Sequence, residues 1–157
     1  MKRNKDLSAV TKGNNTALLL LRVGLGSLML VHGIPKMIML FSSADIQFPS
    51  VMGMSATTSL TLAVFAEVIC PLLVIIGWKT RYAVMPIVIT MLIAAFMVHA
   101  ADPFAKQELA LLYMIGFSAL MVGGSGKYSV DYLLKRNDIK GYHPANKPED
   151  PTVAIYQ

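Results

Sequence analysis

Residues 16–40 read TALLLLRVGLGSLMLVHGIPKMIML. At about 1.5 Å of rise per residue, a helix of this length exceeds the ~30 Å hydrocarbon core of a bilayer. The run lacks the strict alternation of a barrel strand, and it is too long for a signal-peptide core. It therefore reads as a membrane-spanning helix. Three further apolar runs follow at about Thr57 to Gly77, Tyr82 to Ala101 and Glu108 to Gly123, so the expected fold is all-α, a four-transmembrane-helix bundle.

Of the 157 residues, 55% are apolar and 15% charged, and most charges lie at the ends or in short connections. The division expected is an N-terminal segment over 1–15, a membrane domain over 16–134 and a polar tail over 135–157 without the apolar surface to form a core. Lys2, Arg3, Lys5 and Lys12 precede the first span, and Lys79 and Arg81 separate the second from the third. Lys127, Lys135, Arg136, Lys140 and Lys147 follow the fourth, whereas the other two connections contain only Lys106. The positive-inside rule then puts both termini in the cytoplasm. The formal charge of +5 is explained by these flanks, with the lipid bilayer as partner and no nucleic acid.

Two local patterns carry little. In Gly123-Gly124-Ser125-Gly126-Lys127 the first glycine position of a phosphate loop holds Met121, so the stretch reads as a helix stop. Cys70, the one cysteine, permits no disulfide within the chain and reads as a small buried filler.

The informative residues are ionisable groups at membrane depth, where charge is costly and normally faces the bundle interior. These are His32 and Lys36 in the first span, Glu67 in the second, His99 ending the third and Glu108 opening the fourth. His32 lies about 24 Å from the start of its span, and Glu67 about 15 Å from the start of an oppositely directed one. Both fall in the outer half, so these five are pocket or proton-handling candidates in a cluster opening outward. A structural ion pair of Glu67 with Lys36 or His32 is an equal reading. Arg22 lies apart, toward the cytoplasmic side, and reads as structural or as snorkelling to lipid phosphates. On the first span Arg22, Gly26, Met29, Gly33 and Lys36 recur at steps of 4, 3, 4 and 3, one stripe of the helix expected to be its packed face. Pro35 and Pro71 are expected kinks, and Pro71 frees the carbonyl of Glu67 itself. No pair has tight ligand spacing on one helix, so no metal site is expected.

Arg22-Val-Gly-Leu-Gly, His32-Gly33-Ile-Pro-Lys36, Glu67, Gly77 with Lys79-Thr80-Arg81, Asp102-Pro103-Phe104 through Glu108, and Gly124-Ser-Gly126-Lys-Tyr128-Ser129 occur in this order. Together, over about Leu18 to Tyr132, they resemble the DoxX family of small bacterial four-helix membrane proteins. The resemblance implies a prokaryotic plasma (inner) membrane and places Arg22, His32, Lys36, Glu67 and Glu108 at family-like positions with no catalytic role to carry over. It further implies association with redox or oxidative-stress complexes, since the family takes its name from a subunit of a thiosulfate:quinone oxidoreductase. The chain has no flavin, haem or iron–sulfur signature, and so no cofactor of its own is expected. The leading expectation is a redox-associated subunit, non-catalytic or quinone-binding, with a pocket for a quinone-like or other small amphipathic molecule and a protein partner or homo-oligomer. A membrane scaffold or chaperone-like partner, and a small solute or lipid transporter, are the alternatives.

Overall fold

The computed structural model describes residues 2–42 and 45–141. Helix α1 (Lys2–Phe41) is continuous from the N-terminal segment through the first span. The second span comprises α2 (Ala56–Val64), a π-helical turn at Phe65–Ile69 and α3 (Cys70–Ile76). The third comprises α4 (Thr80–Ile93) and a π-helical turn at Ala94–Val98, and the fourth is α5 (Phe104–Gly123). A last helix, α6 (Val130–Gly141), runs into the stretch expected as a coreless tail; residues 142–157 of that stretch lie outside the described residues.

Four segments are long and apolar enough to cross a membrane: Gly13–Phe41, Ala56–Ile76, Thr80–Val98 and Phe104–Gly123. The third stops at Val98, short of Ala101, because a turn closes from Asp102 N–H to the His99 carbonyl at 3.1 Å. The fourth starts a full turn earlier than expected from Glu108, because Pro103 precedes its first residue, where a missing N–H costs nothing.

The helices pack as a closed ring in which α1 touches α2 and α3, α3 touches α4, α4 touches α5, and α5 returns to α1. Met29, Cys70, Val74, Val84, Ile87, Phe117 and Leu120 fill the centre, and Leu60, Val64 and Val68 form a second cluster against α1. Around this core the usual polarity is inverted. Leu28 is 57% and Leu112 58% exposed, while Arg22 is 0% and Glu67 1% exposed. Large apolar side chains outside and charges inside are what a hydrocarbon solvent selects.

The whole expected stripe of α1 faces inward: Arg22, Gly26, Met29 and Gly33 are buried and Lys36 half-buried. A Cβ on Gly33 would run into the backbone carbonyl of Glu67, and one on Gly26 into Ile75. These glycines let α1 approach the second span at backbone distance.

The bundle end that carries the α3–α4 turn is clasped by the α5–α6 connection. Gly77, at φ +74°, closes α3, with the N–H of Trp78 bonded to the Leu73 carbonyl at 3.0 Å. The Asp131 carboxylate then accepts from the N–H groups of Lys79 at 2.7 Å and Thr80 at 3.2 Å, capping the start of α4 from another helix. Asn15 Oδ1 accepts from the Lys127 N–H at 2.8 Å, tying the same connection to α1.

Candidate functional site

At the opposite end, Glu67 sits in the π-helical turn of the second span, with its carboxylate 2% exposed. Lys36 Nζ donates to both of its oxygens, at 2.5 and 2.6 Å. Buried charge is tolerated only when paired and hydrogen-bonded, and this pair meets both conditions. The local sequence accounts for the position. Pro71 has no N–H to return to the Glu67 carbonyl, and Gly33 brings the backbone of α1 against that same carbonyl. One turn further along α1 is Lys36, within reach of the carboxylate. The Lys36 ammonium also lies 5.8 Å from the centre of the Phe48 ring, a cation–π contact from the α1–α2 connection.

The ion pair stands between two cavities. One, of about 310 Å³, is mainly apolar and lies between the second and third spans, roofed by Phe48, Pro49, Val51 and Met54. The other, of about 260 Å³, is more polar and is bounded by His32, Lys106 and Tyr113 on the first and fourth spans. Lys36, Glu67, Ala94 and His99 belong to the walls of both. Ala94 opens the second π-helical turn and His99 follows it. Each π turn inserts one residue into a helix and re-aims the side chains beside it, a device frequent at functional sites. Both insertions in this bundle adjoin the same shared wall.

His99 is held by the turn that follows it. Its Nδ1 lies 2.7 Å from Asp102 Oδ2, and Lys106 Nζ lies 3.4 Å from the same oxygen. The hydrogen bond from His99, and more weakly the charge of Lys106, keep the Asp102 carboxyl below the ordinary carboxylate range. Gln107 Nε2 donates to the His99 carbonyl at 2.8 Å and reaches those of Ala100 and Asp102 at 3.4 Å, locking the turn onto α5.

The structure thus brings together Lys36, Glu67 and His99, with His32 at the margin. The His32 ring meets Tyr113 edge-on at 5.7 Å, and its contact is with this ring rather than with Glu67. Glu108 does not join. It is exposed, off the buried stripe of α5 formed by Ala110, Tyr113, Phe117 and Leu120. Lys106, which stands four residues before Ala110 and so shares that stripe, lines the smaller cavity in its place. Pro35 lies within α1, which continues through it to Phe41. Arg22 does not snorkel to lipid. It is fully buried at the clasped end, where its Nη2 donates to the Tyr128 carbonyl at 2.5 Å and its guanidinium fills the space left by Gly77. The reason is geometric, since Arg22 lies on the packed stripe and the α5–α6 connection closes over it.

Sequence reading missed Tyr113 and Phe48, and met Asp102 and Gln107 only inside the motif stretch Asp102 to Glu108, with no role. For Tyr113 a signal existed, the 3–4–3 spacing of Ala110, Tyr113, Phe117 and Leu120. Among the described residues, no three His, Cys, Asp or Glu side chains converge as metal ligands would.

The motif residues sort into two groups by place. Arg22, Gly77, Lys79, Thr80, Tyr128 and Ser129 build the clasp, while Lys36 and Glu67 belong to the shared wall and Asp102 holds the His99 of that wall. No solved structure matches this chain. An uncharacterized protein of Haemophilus influenzae is 29% identical over 139 residues, covering 84% of this chain and 92% of that protein. The DoxX family model matches residues 17–100, from the first span through the third and so across Arg22, the ion pair and His99. This four-span membrane protein belongs to the DoxX family.

Proposed function

We propose that the chain is a membrane subunit that binds a small amphipathic molecule of the quinone type, its ring against the Lys36–Glu67 wall and its apolar substituents in the larger cavity. The observation that supports this reading is the position of the ion pair. A fully satisfied structural pair needs no space around it, yet this one is a partition between an apolar chamber and a polar one. Pockets with mostly apolar walls and a few convergent polar groups between helices are the usual form of a small-molecule site. In this reading the electron carrier belongs to a protein partner, and the subunit supplies binding and orientation. The basic flanks favour a reading with both termini on the cytoplasmic side, which in a prokaryotic plasma membrane would turn the chambers toward its outer face.

The test is binding of a short-chain alkyl-benzoquinone to the full-length protein in detergent, measured by equilibrium dialysis. Ala63→Trp fills the apolar chamber while leaving the ion pair in place, and it should abolish binding. The double variant Lys36→Met/Glu67→Leu should weaken binding without unfolding the bundle. Undiminished binding by both variants, each verified as folded, would remove the chambers as the site.

A further inference from the structure

The tautomer of His99 gives the shared wall a hydrogen-bonding polarity. Asp102 Oδ2 lies 2.7 Å from His99 Nδ1, and the neighbouring Lys106 favours the ionised carboxylate. An ionised carboxylate only accepts, so Nδ1 must carry the proton of this hydrogen bond. In the neutral ring Nε2 is then a bare acceptor. It has no partner among the described residues, and the side chain lines both chambers. Lys36 presents the opposite polarity, because an ammonium has three donors and Glu67 takes two. The two polar groups of the wall therefore ask for different things, a donor at His99 and an acceptor at Lys36.

A carbonyl can satisfy Lys36 but meets the lone pair of His99 Nε2 without a proton to offer. A phenolic hydroxyl satisfies either group, donating to His99 and accepting from Lys36. We infer that the site selects a hydroxyl-bearing aromatic head, a hydroquinone or another phenol, over the corresponding quinone, and that Asp102 is the positioning residue that sets this preference through His99. The inference rests on the reading of the chambers proposed above and names the form of the ligand they hold. Gln107 supports it by locking the turn from His99 to Asp102, so that the carboxylate stays aligned with the ring.

The experiment compares three probes on the full-length protein under anaerobic, mildly alkaline conditions: an alkyl-benzoquinone, its hydroquinone, and the dimethyl ether of that hydroquinone. The ether keeps the ring but has no hydroxyl to donate and does not change oxidation state. The hydroquinone should bind about tenfold more tightly than the quinone, which is about 1.4 kcal/mol, and the ether should be as weak as the quinone. Asp102→Leu leaves Nδ1–H without its acceptor and so releases the tautomer, and the preference should shrink or vanish. His99→Phe should remove the preference, bringing the hydroquinone and its ether to equal affinity. A wild-type protein that binds quinone and hydroquinone equally, or an Asp102→Leu variant that keeps the full preference, overturns this inference and leaves the chambers standing. Failure of folded wild-type protein to bind any of the three overturns both.

Discussion

The Lys36–Glu67 pair is unequally buried, and the inequality predicts which half of it is dearer to lose. The Glu67 carboxylate is 2% exposed and the Lys36 side chain 31% exposed. Lys36→Met strips both carboxylate oxygens of their donor in a place water does not reach, and removing one partner of such a pair costs about 3–5 kcal/mol. Glu67→Gln leaves an amide oxygen that still accepts from Lys36, and the half-exposed ammonium can turn toward water. Its cost should be near the value of one charged hydrogen bond, about 1.5 kcal/mol. Replacing both with apolar side chains of similar size, Lys36→Met/Glu67→Leu, leaves no orphaned charge and should return to within about 1 kcal/mol of the native protein. Reversible unfolding in mixed micelles, run on the four proteins as a double-mutant cycle, measures each term. Glu67→Gln matching or exceeding Lys36→Met in cost would refute the reasoning. So would a double variant no more stable than Lys36→Met.

Gly33→Ala should destabilise by about 1–3 kcal/mol, the usual range for overpacking, because its Cβ would strike the Glu67 backbone. Gly24→Ala, with open space around it, should be neutral or slightly stabilising in the same unfolding assay. Arg22→Leu orphans the Tyr128 carbonyl and should loosen the clasp, read as faster proteolysis between α5 and α6 with the chambers' ligand affinity unchanged. The His99 hydrogen bond depresses the folded-state pKa of Asp102, so its stabilising contribution is present in full above the unfolded value, about 3.9. It is lost as the pH falls through the lower folded value. An acid titration of stability should therefore show a loss at low pH in the native protein that is smaller in Asp102→Asn.

The spans were legible because a bilayer demands long apolar runs, and the packed face of α1 was legible because Arg22, Gly26, Met29, Gly33 and Lys36 repeat at helical spacing. Comparing depths along oppositely directed helices set Glu67 beside His32 and left Lys36 or His32 open as its partner; the structure pairs it with Lys36. The π-helical turns were not legible. Nothing in Phe65–Ile69 or Ala94–Val98 marks an inserted residue, which arises from the fit between neighbouring helices. The same fit fixed the rotation of α5, and rotation decided that Lys106 faces the cavity and Glu108 does not. For Arg22 two sequence signals conflicted, nearness to the membrane edge and membership of the packed stripe. Packing prevailed because the α5–α6 connection, whose path sequence did not reveal, supplies an acceptor inside the bundle.

Photolabelling the full chain with a short-chain azidoquinone, followed by peptide mapping, tests occupancy of the chambers most directly. Labels should fall on the roof at Phe48–Met54 and on the wall at Thr90–His99, and excess unlabelled hydroquinone should compete them away. Labels confined to outward-facing residues such as Leu28 and Leu112, and insensitive to that competitor, would show the ligand dissolved in the surrounding detergent and would contradict a binding site at the ion pair.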